Sequence, residues 1–239
     1  MKKEHRIICI GDLHGRVVWK DIVKQELESC DKFIMIGDYF DTHGGGVSGN
    51  KQIVNFKEIL QLKREYPDKV ILLFGNHDFH YIKGIGENYS GYQASYAIDI
   101  GACIGDAITE GLVQMCYKHE NFVFTHAGVT LTWCVDNEID ITDLETSINN
   151  LFKYKPHAFK FTAGDNYSNS GNDITQPPIW VRPESLLRDM VGGITCVVGH
   201  TTVNEVGISP KLILIDTLGI SEEFLIINNG IPEKGKLIR

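Results

Sequence analysis

Arg6-Ile7-Ile8-Cys9-Ile10-Gly11-Asp12-Leu13-His14-Gly15 carries the reading of the fold: an apolar run of strand length stops at a glycine, and an aspartate and a histidine follow at once. The construction recurs where Lys32 to Ile36 leads into Gly37-Asp38-Tyr39-Phe40-Asp41, and where Val70 to Phe74 leads into Gly75-Asn76-His77-Asp78. Unbroken apolar runs of this length are what a strand buried on both faces requires. Between them lie helical patterns, Val17 to Glu28 and the apolar positions 53, 56, 59, 60 and 62, the second bounded by Pro67. A strand, helix, strand, helix, strand order predicts an α/β fold with a parallel sheet built from right-handed crossovers. Functional loops are then expected at the C-terminal ends of the strands, where all three polar clusters sit.

Downstream the pattern is less regular. Strands are predicted over Leu112 to Tyr117, Phe122 to Thr125, Thr195 to Val198, Lys211 to Ile215 and Phe224 to Ile227. A helix is predicted over Thr142 to Phe152, with Thr142 and Glu145 as a capping box and Leu144, Ile148 and Leu151 on one face. Two of these strands also end in histidine, at Thr125-His126-Ala127-Gly128 and Val198-Gly199-His200-Thr201. Residues 84–92, rich in Gly and Tyr, and residues 164–178 have no regular pattern and read as insert loops of a single domain spanning 1–239.

The 239 residues are 43% hydrophobic, enough for one large core. Only four apolar residues, Ile7 to Ile10, precede Gly11, too few for a signal-peptide core, and no run approaches the roughly 18 needed to span a membrane. A cytoplasmic protein without membrane attachment is expected. Cysteines 9, 30, 103, 116, 134 and 196 form no C-x-x-C pair and read as reduced, structural thiols. The net charge of −8 and the lack of a Lys/Arg run argue against stable nucleic-acid binding. An anionic substrate would need a local positive site, which bound metal ions could supply.

Taken singly, a Gly-Asp is more often a turn, and a histidine after a strand more often a packing residue. Five such loops in this order are a different matter. Burying Asp12, Asp38, Asp41 and Asp78 together is costly without compensating positive charge. Nitrogen and oxygen ligands without thiolate suit Mn, Fe, Zn or Co.

The ordered set Gly-Asp-x-His-Gly, Gly-Asp-x-x-Asp, Gly-Asn-His-Asp, Thr-His-Ala-Gly and Gly-His resembles the calcineurin-like metallophosphoesterase superfamily, over residues 7–216. Gly37 to Asp41, Trp180 to Pro183 and Ile215-Asp216-Thr217 resemble most its branch of serine/threonine phosphoprotein phosphatases and bacterial diadenosine tetraphosphatases. The resemblance implies a four-layer αββα sandwich with a two-metal site at the C-terminal ends of the strands. It implies one divalent ion, with Mn²⁺ first and Fe, Zn, Co or Ni as other fits, on Asp12, His14 and Asp38. A second ion would sit on Asp38, Asn76, His126 and His200. Hydroxide bridging the ions would attack phosphorus, His77 would protonate the leaving oxygen, and Asp41 would orient His77. Asp78 is open between a structural and a catalytic role.

The sequence also departs from that pattern. Protein phosphatases of the branch follow the Asp41 position with a phosphate-clamping arginine, where this chain has Thr42-His43-Gly44. His43, when protonated, is a candidate substitute, and Arg182 resembles a second clamp. Thr202 replaces the second histidine of a Gly-His-x-His motif common in phosphodiesterases. His80 could reach the crevice rim, and Tyr81, Tyr89, Tyr92 and Tyr96 could stack on a nucleobase.

Three readings compete: a phosphomonoesterase, with phosphoserine or phosphothreonine protein as one such substrate; a nucleotide pyrophosphatase or phosphodiesterase such as a diadenosine tetraphosphatase; and a noncatalytic binding module. The expected partner is a phosphorylated small-molecule, nucleotide or protein substrate.

Overall fold

The structure, a computed structural model, describes residues 5–42, 46–163 and 170–238. Strands β1 (Arg6–Ile10), β2 (Lys32–Met35) and β3 (Val70–Leu73) are mutually parallel, joined through helices α1 (Trp19–Glu26) and α2 (Gly49–Glu65). The short β4 (Val113–Gln114) extends the sheet beyond β3. On the other side β10 (Phe224–Asn228) runs antiparallel to β1 and carries β11 (Ile231–Gly235) at the edge. Pro232 is tolerated in β11 because an edge strand need not donate every backbone N–H.

The second sheet has the order β5 (Tyr117–His119), β6 (Phe122–Phe124), β7 (Thr195–Val198), β9 (Leu212–Leu214), β8 (Gly207–Ile208). Strand alternation explains how the layers stack. Ile7, Cys9, Ile34, Ile36, Ile71 and Leu73 of the first sheet pack with Phe122, Phe124, Val197 and Ile213 of the second. Ile8, Ile10, Phe33, Met35, Val70 and Leu72 face the other way, onto Trp19, Ile22, Phe56, Ile59, Ile100 and Ile104 of the helices. The outer face of the second sheet, Cys196, Val198 and Leu212, is covered by Leu186 from α7 (Pro183–Arg188). This is the αββα arrangement, and it accounts for strands apolar at every position.

Several expectations change in detail. Leu112 to Tyr117 divides between β4 and β5, which lie in different sheets. The helix expected from Thr142 is α6 (Leu144–Tyr154), capped by Asp143 rather than Thr142; the Asp143 carboxylate accepts from Thr146 N at 3.3 Å. Glu145 turns instead to the Lys118 N–H at 2.9 Å. Helix α4 (Ala97–Thr109) buries Ile100, Cys103, Ile104 and Ala107, a regular helical stripe. Its Gly101 and Gly105 obscured that stripe in the sequence, and Gly101 is needed because a Cβ there would come within 2.9 Å of Tyr81 O. α3 (Asn76–Phe79) and α5 (Leu131–Asp136) are single short turns. All six cysteines are buried and free. No helix among the described residues is long and apolar enough to cross a membrane.

Candidate active site

The loops after β1, β2, β3 and β7 line one cavity of about 450 Å³, whose walls include Asp12, His14, Arg16, Asp38, Asn76, His77, Arg182, His200 and Asp216. The chain is strained here: of eight non-glycine residues with positive φ among those described, His14, Asp38, Asp41 and His200 are four. Such strain persists only where the surroundings over-determine the backbone. Two motif glycines show how tightly they do. A Cβ on Gly75 would fall 2.0 Å from Asp38 Oδ1, and one on Gly199 2.0 Å from Asp12 Oδ1.

Asp78 fixes the loop geometry. Its two carboxylate oxygens accept the N–H groups of Asp38 (2.8 Å), Tyr39 (2.8 Å) and Gly75 (2.9 Å), tying the β2 loop to the β3 loop. Both oxygens are committed to backbone, which favours the structural role of the two left open by the sequence.

The imidazoles reveal their protonation by what they face, since a carbonyl only accepts. His14 Nδ1 lies 2.9 Å from Phe40 O, His126 Nδ1 3.0 Å from Ile36 O, and His200 Nε2 3.1 Å from Trp180 O. Those nitrogens carry the protons. The lone pair of His14 is then on Nε2, 3.7 Å from Asp38 Oδ2, and that of His126 is on Nε2, 3.4 Å from Asp38 Oδ2 and 3.0 Å from Asn76 Oδ1. Lone pairs facing carboxylate oxygen require a cation between them, either a further proton or a metal ion. A ring whose other N–H is held by a carbonyl is the usual disposition of a metal-ligating histidine.

The titration behaviour agrees. Burial opposes charging His126, but Asp38 and Asp12 draw its pKa up to about 10. Burial and then the charge of Asp216 push the Asp12 carboxyl well above its ordinary range. Burial would also raise Asp38, yet His126, His77 and His14 together hold it well below that range. His200 is driven well down by burial, with the His126 and Arg182 charges adding, which keeps its Nδ1 lone pair free for a ligand role.

Residues 5–204 match the family described as calcineurin-like phosphoesterase. The chain belongs to that family. Among solved structures it is similar to a protein serine/threonine phosphatase from Saccharomyces cerevisiae described as having similarity to human phosphatase PP5. That match has 13% identity and a TM-score of 0.58, and covers 98% of this chain and 81% of the yeast one. It is also similar to a metallophosphoesterase from Sphaerobacter thermophilus, at 12% identity and a TM-score of 0.45, covering 98% and 89% of the two chains. At such identities the yeast likeness shows a shared fold. A comparison with curated proteins found no match.

As a calcineurin-like phosphoesterase the chain is a phosphoester hydrolase, and the family depends on two metal ions. Asp12, His14 and Asp38 have ligand atoms within reach of one ion, as does a second group, Asp41, His77 and His80. In the second group His77 Nδ1 hydrogen-bonds Asp41 Oδ2 at 3.1 Å, and His80 Nε2 lies 2.7 Å from the same oxygen.

The remaining predicted site residues divide. His77 lines the cavity, and Asp41 is fully buried behind it. Arg182 reaches the cavity with Nε on Ser170 O (2.7 Å) and Nη1 on His200 O (2.9 Å) and Thr201 Oγ1 (3.1 Å). His43 lies outside the described residues. Thr202, in place of a second histidine, donates to Asp216 Oδ2 at 2.6 Å.

Sequence reading passed over Arg16, which follows the first glycine-bounded loop directly. This arginine lines the cavity and, among the described residues, donates long bonds to Leu13 O (3.3 Å) and Asp12 O (3.4 Å). A cation immediately after an Asp-x-His-Gly loop was the available signal.

His80 is buried against Asp41, not at the rim. Tyr81 is buried, Tyr92 stacks on it at 5.0 Å, and Tyr89 packs edge-on to Trp180 at 4.5 Å. Those rings are engaged within the protein.

Proposed function

We propose that this protein hydrolyses phosphate monoesters, with phosphoserine or phosphothreonine protein within its substrate range. Asp12, His14 and Asp38 would hold one divalent cation, and Asn76, His126 and His200 would hold a second, with Asp38 serving both. The observation that carries this is the set of imidazole lone pairs turned on Asp38, a donor set that calls for positive charge and contains no thiolate. When bound, two such cations acidify a water and neutralise charge on the phosphoryl oxygens.

The chain's own groups supply the rest. His77 lines the cavity with Nδ1 on Asp41, and it is the group that would deliver a proton to the departing oxygen. Burial works against its charged form, but Asp38 and then Asp41 raise its pKa above the ordinary value. Arg182 and Arg16 present guanidinium groups to the same space, which suits a dianionic phosphoryl group better than a monoanionic diester. The nucleotide reading drew on the Tyr-rich insert and the missing first arginine; of its tyrosines Tyr81 is buried, while Tyr89, Tyr92 and Tyr96 are half-buried.

The test is to strip the protein with chelator, restore Mn²⁺, and compare matched nitrophenyl monoester and diester substrates beside diadenosine tetraphosphate. Metal-dependent release from the monoester is expected. Preference for the diester or the dinucleotide would replace this reading with nucleotide chemistry, and no hydrolysis of any would revive the binding module.

A further inference from the structure

Residues 80–93 have no part in the proposed metal ligation or acid chemistry, yet three of their side chains converge on Asp41, the partner of His77. Asp41 Oδ1 accepts from Tyr81 Oη at 2.6 Å and Gln93 Nε2 at 3.0 Å, and Oδ2 receives His77 Nδ1 at 3.1 Å. His80 Nε2 lies 2.7 Å from Oδ2, wholly enclosed and too bent to count as a hydrogen bond, so the contact is electrostatic and no other described group pairs with that nitrogen.

What fixes the direction of these contacts is the backbone of the same segment. An amide N–H only donates. The Tyr89 N–H points at His80 Nδ1 (3.1 Å), so that nitrogen carries the lone pair and the ring proton is on Nε2, facing Asp41. The Gln93 N–H points at Tyr81 Oη (2.8 Å), so the single phenolic proton is likewise left for Asp41. Gln93 Nε2 also bonds Gln52 Oε1 (2.9 Å), which accepts the Asp41 N–H (2.9 Å). Gly91 lies against the carboxylate, where a Cβ would be 3.1 Å from Asp41 Cβ.

We propose that His80 is a positioning residue for the acid His77. Held as its neutral Nε2–H form by the Tyr89 amide, it fixes the Asp41 carboxylate, with Tyr81 and Gln93, in the orientation that aims the His77 ring into the cavity. The inference rests on the reading of His77 as the acid. Residues 84–92, an insert without a pattern in the sequence, thereby acquire a function as a backbone template for that acid.

A positioned acid matters most when the leaving group is basic. The full chain, Mn²⁺-loaded, is compared as wild type, His80→Phe, His80→Gln and His77→Ala. The substrates are a nitrophenyl phosphate ester, which departs readily without a proton, and its phenyl counterpart, which does not. His80→Phe keeps an aromatic ring in the site and removes the donor, while Gln restores a neutral N–H. His80→Phe is expected to lower kcat for the phenyl ester by about 10-fold, a fraction of what an acid contributes. The nitrophenyl rate and both KM values should stay near wild type, with His80→Gln recovering most of the loss. Equal losses on both esters, or no recovery with Gln, overturn the inference and leave His80 as packing. If His77→Ala itself fails to discriminate between the esters, the acid assignment falls instead. Independently of turnover and of how the variants fold, ¹⁵N NMR of metal-free wild type should find His80 protonated on Nε2 alone. A proton on Nδ1 would overturn the inference.

Discussion

Two clusters of histidine and aspartate stand side by side in this protein, and they are opposites. Around Asp38 the rings of His14 and His126 donate their Nδ1–H to backbone carbonyls and turn Nε2 toward a carboxylate at 3.7 and 3.4 Å. Around Asp41 every neighbour turns a proton inward, from His77, His80, Tyr81 and Gln93. The first arrangement calls for a cation; the second is held by hydrogen bonds from His77, Tyr81 and Gln93, with His80 Nε2 2.7 Å from the carboxylate. Histidines lie beside an aspartate in both, and the direction in which each ring proton points separates a metal site from a hydrogen-bond network.

Breaking the first cluster should have the largest effect. Asp38→Asn removes the shared ligand and the charge that draws both ions, and we expect loss of bound metal, read by elemental analysis, together with loss of hydrolysis. Two ions per chain retained in that variant would contradict the shared role. His77→Ala divides the clusters. It should lower turnover by about 10²-fold or more, as for a lost general acid, with metal content unchanged. An emptied metal site in that variant would move His77 from the second cluster to the first.

Tyr81→Phe sharpens the comparison by removing one of the protons aimed at Asp41 and leaving the Gln93 N–H without its acceptor. Destabilisation of about 1.5–3 kcal/mol in urea unfolding is expected, the range for a hydrogen bond to a charged group. Metal content should be unchanged.

The smallest effect is on acid stability. Burial would raise the Asp41 pKa, but its four donors, His77 first, bring it down from 3.8 to about 2. A carboxyl depressed in this way stabilises the fold above its unfolded pKa near 3.8, and that contribution is lost as pH falls toward about 2. Asp41→Asn should flatten stability against pH over that window, measured by urea midpoints. An unchanged slope would mean that Asp41 is not held as an anion by its neighbours.

Much of this was legible in the sequence, for a physical reason. A strand buried on both faces must be apolar at every position, so β1, β2 and β3 stand out against any background, and the polar residues that stop them mark the strand-end loops. The first cluster was read from those stops. The second was read only as far as His77 and Asp41, because its other members act through direction, which a one-dimensional pattern does not carry. His80 looked like a rim residue and the tyrosines like free stacking faces. Both depend on where residues 89–93 place two amide N–H groups, in a segment with no periodicity. Helix α4 was hidden by Gly101, which the close approach of Tyr81 O demands, and the cap of α6 was misplaced by one residue because Asp143 and Thr142 are both competent caps.

The most direct test of the central contrast is a crystal structure of the Mn²⁺-loaded protein with anomalous scattering at the manganese edge. Two peaks flanking the Asp38 carboxylate, and none between His80, His77 and Asp41, are the predicted result. A peak inside the Asp41 cluster, or none beside Asp38, would contradict the account.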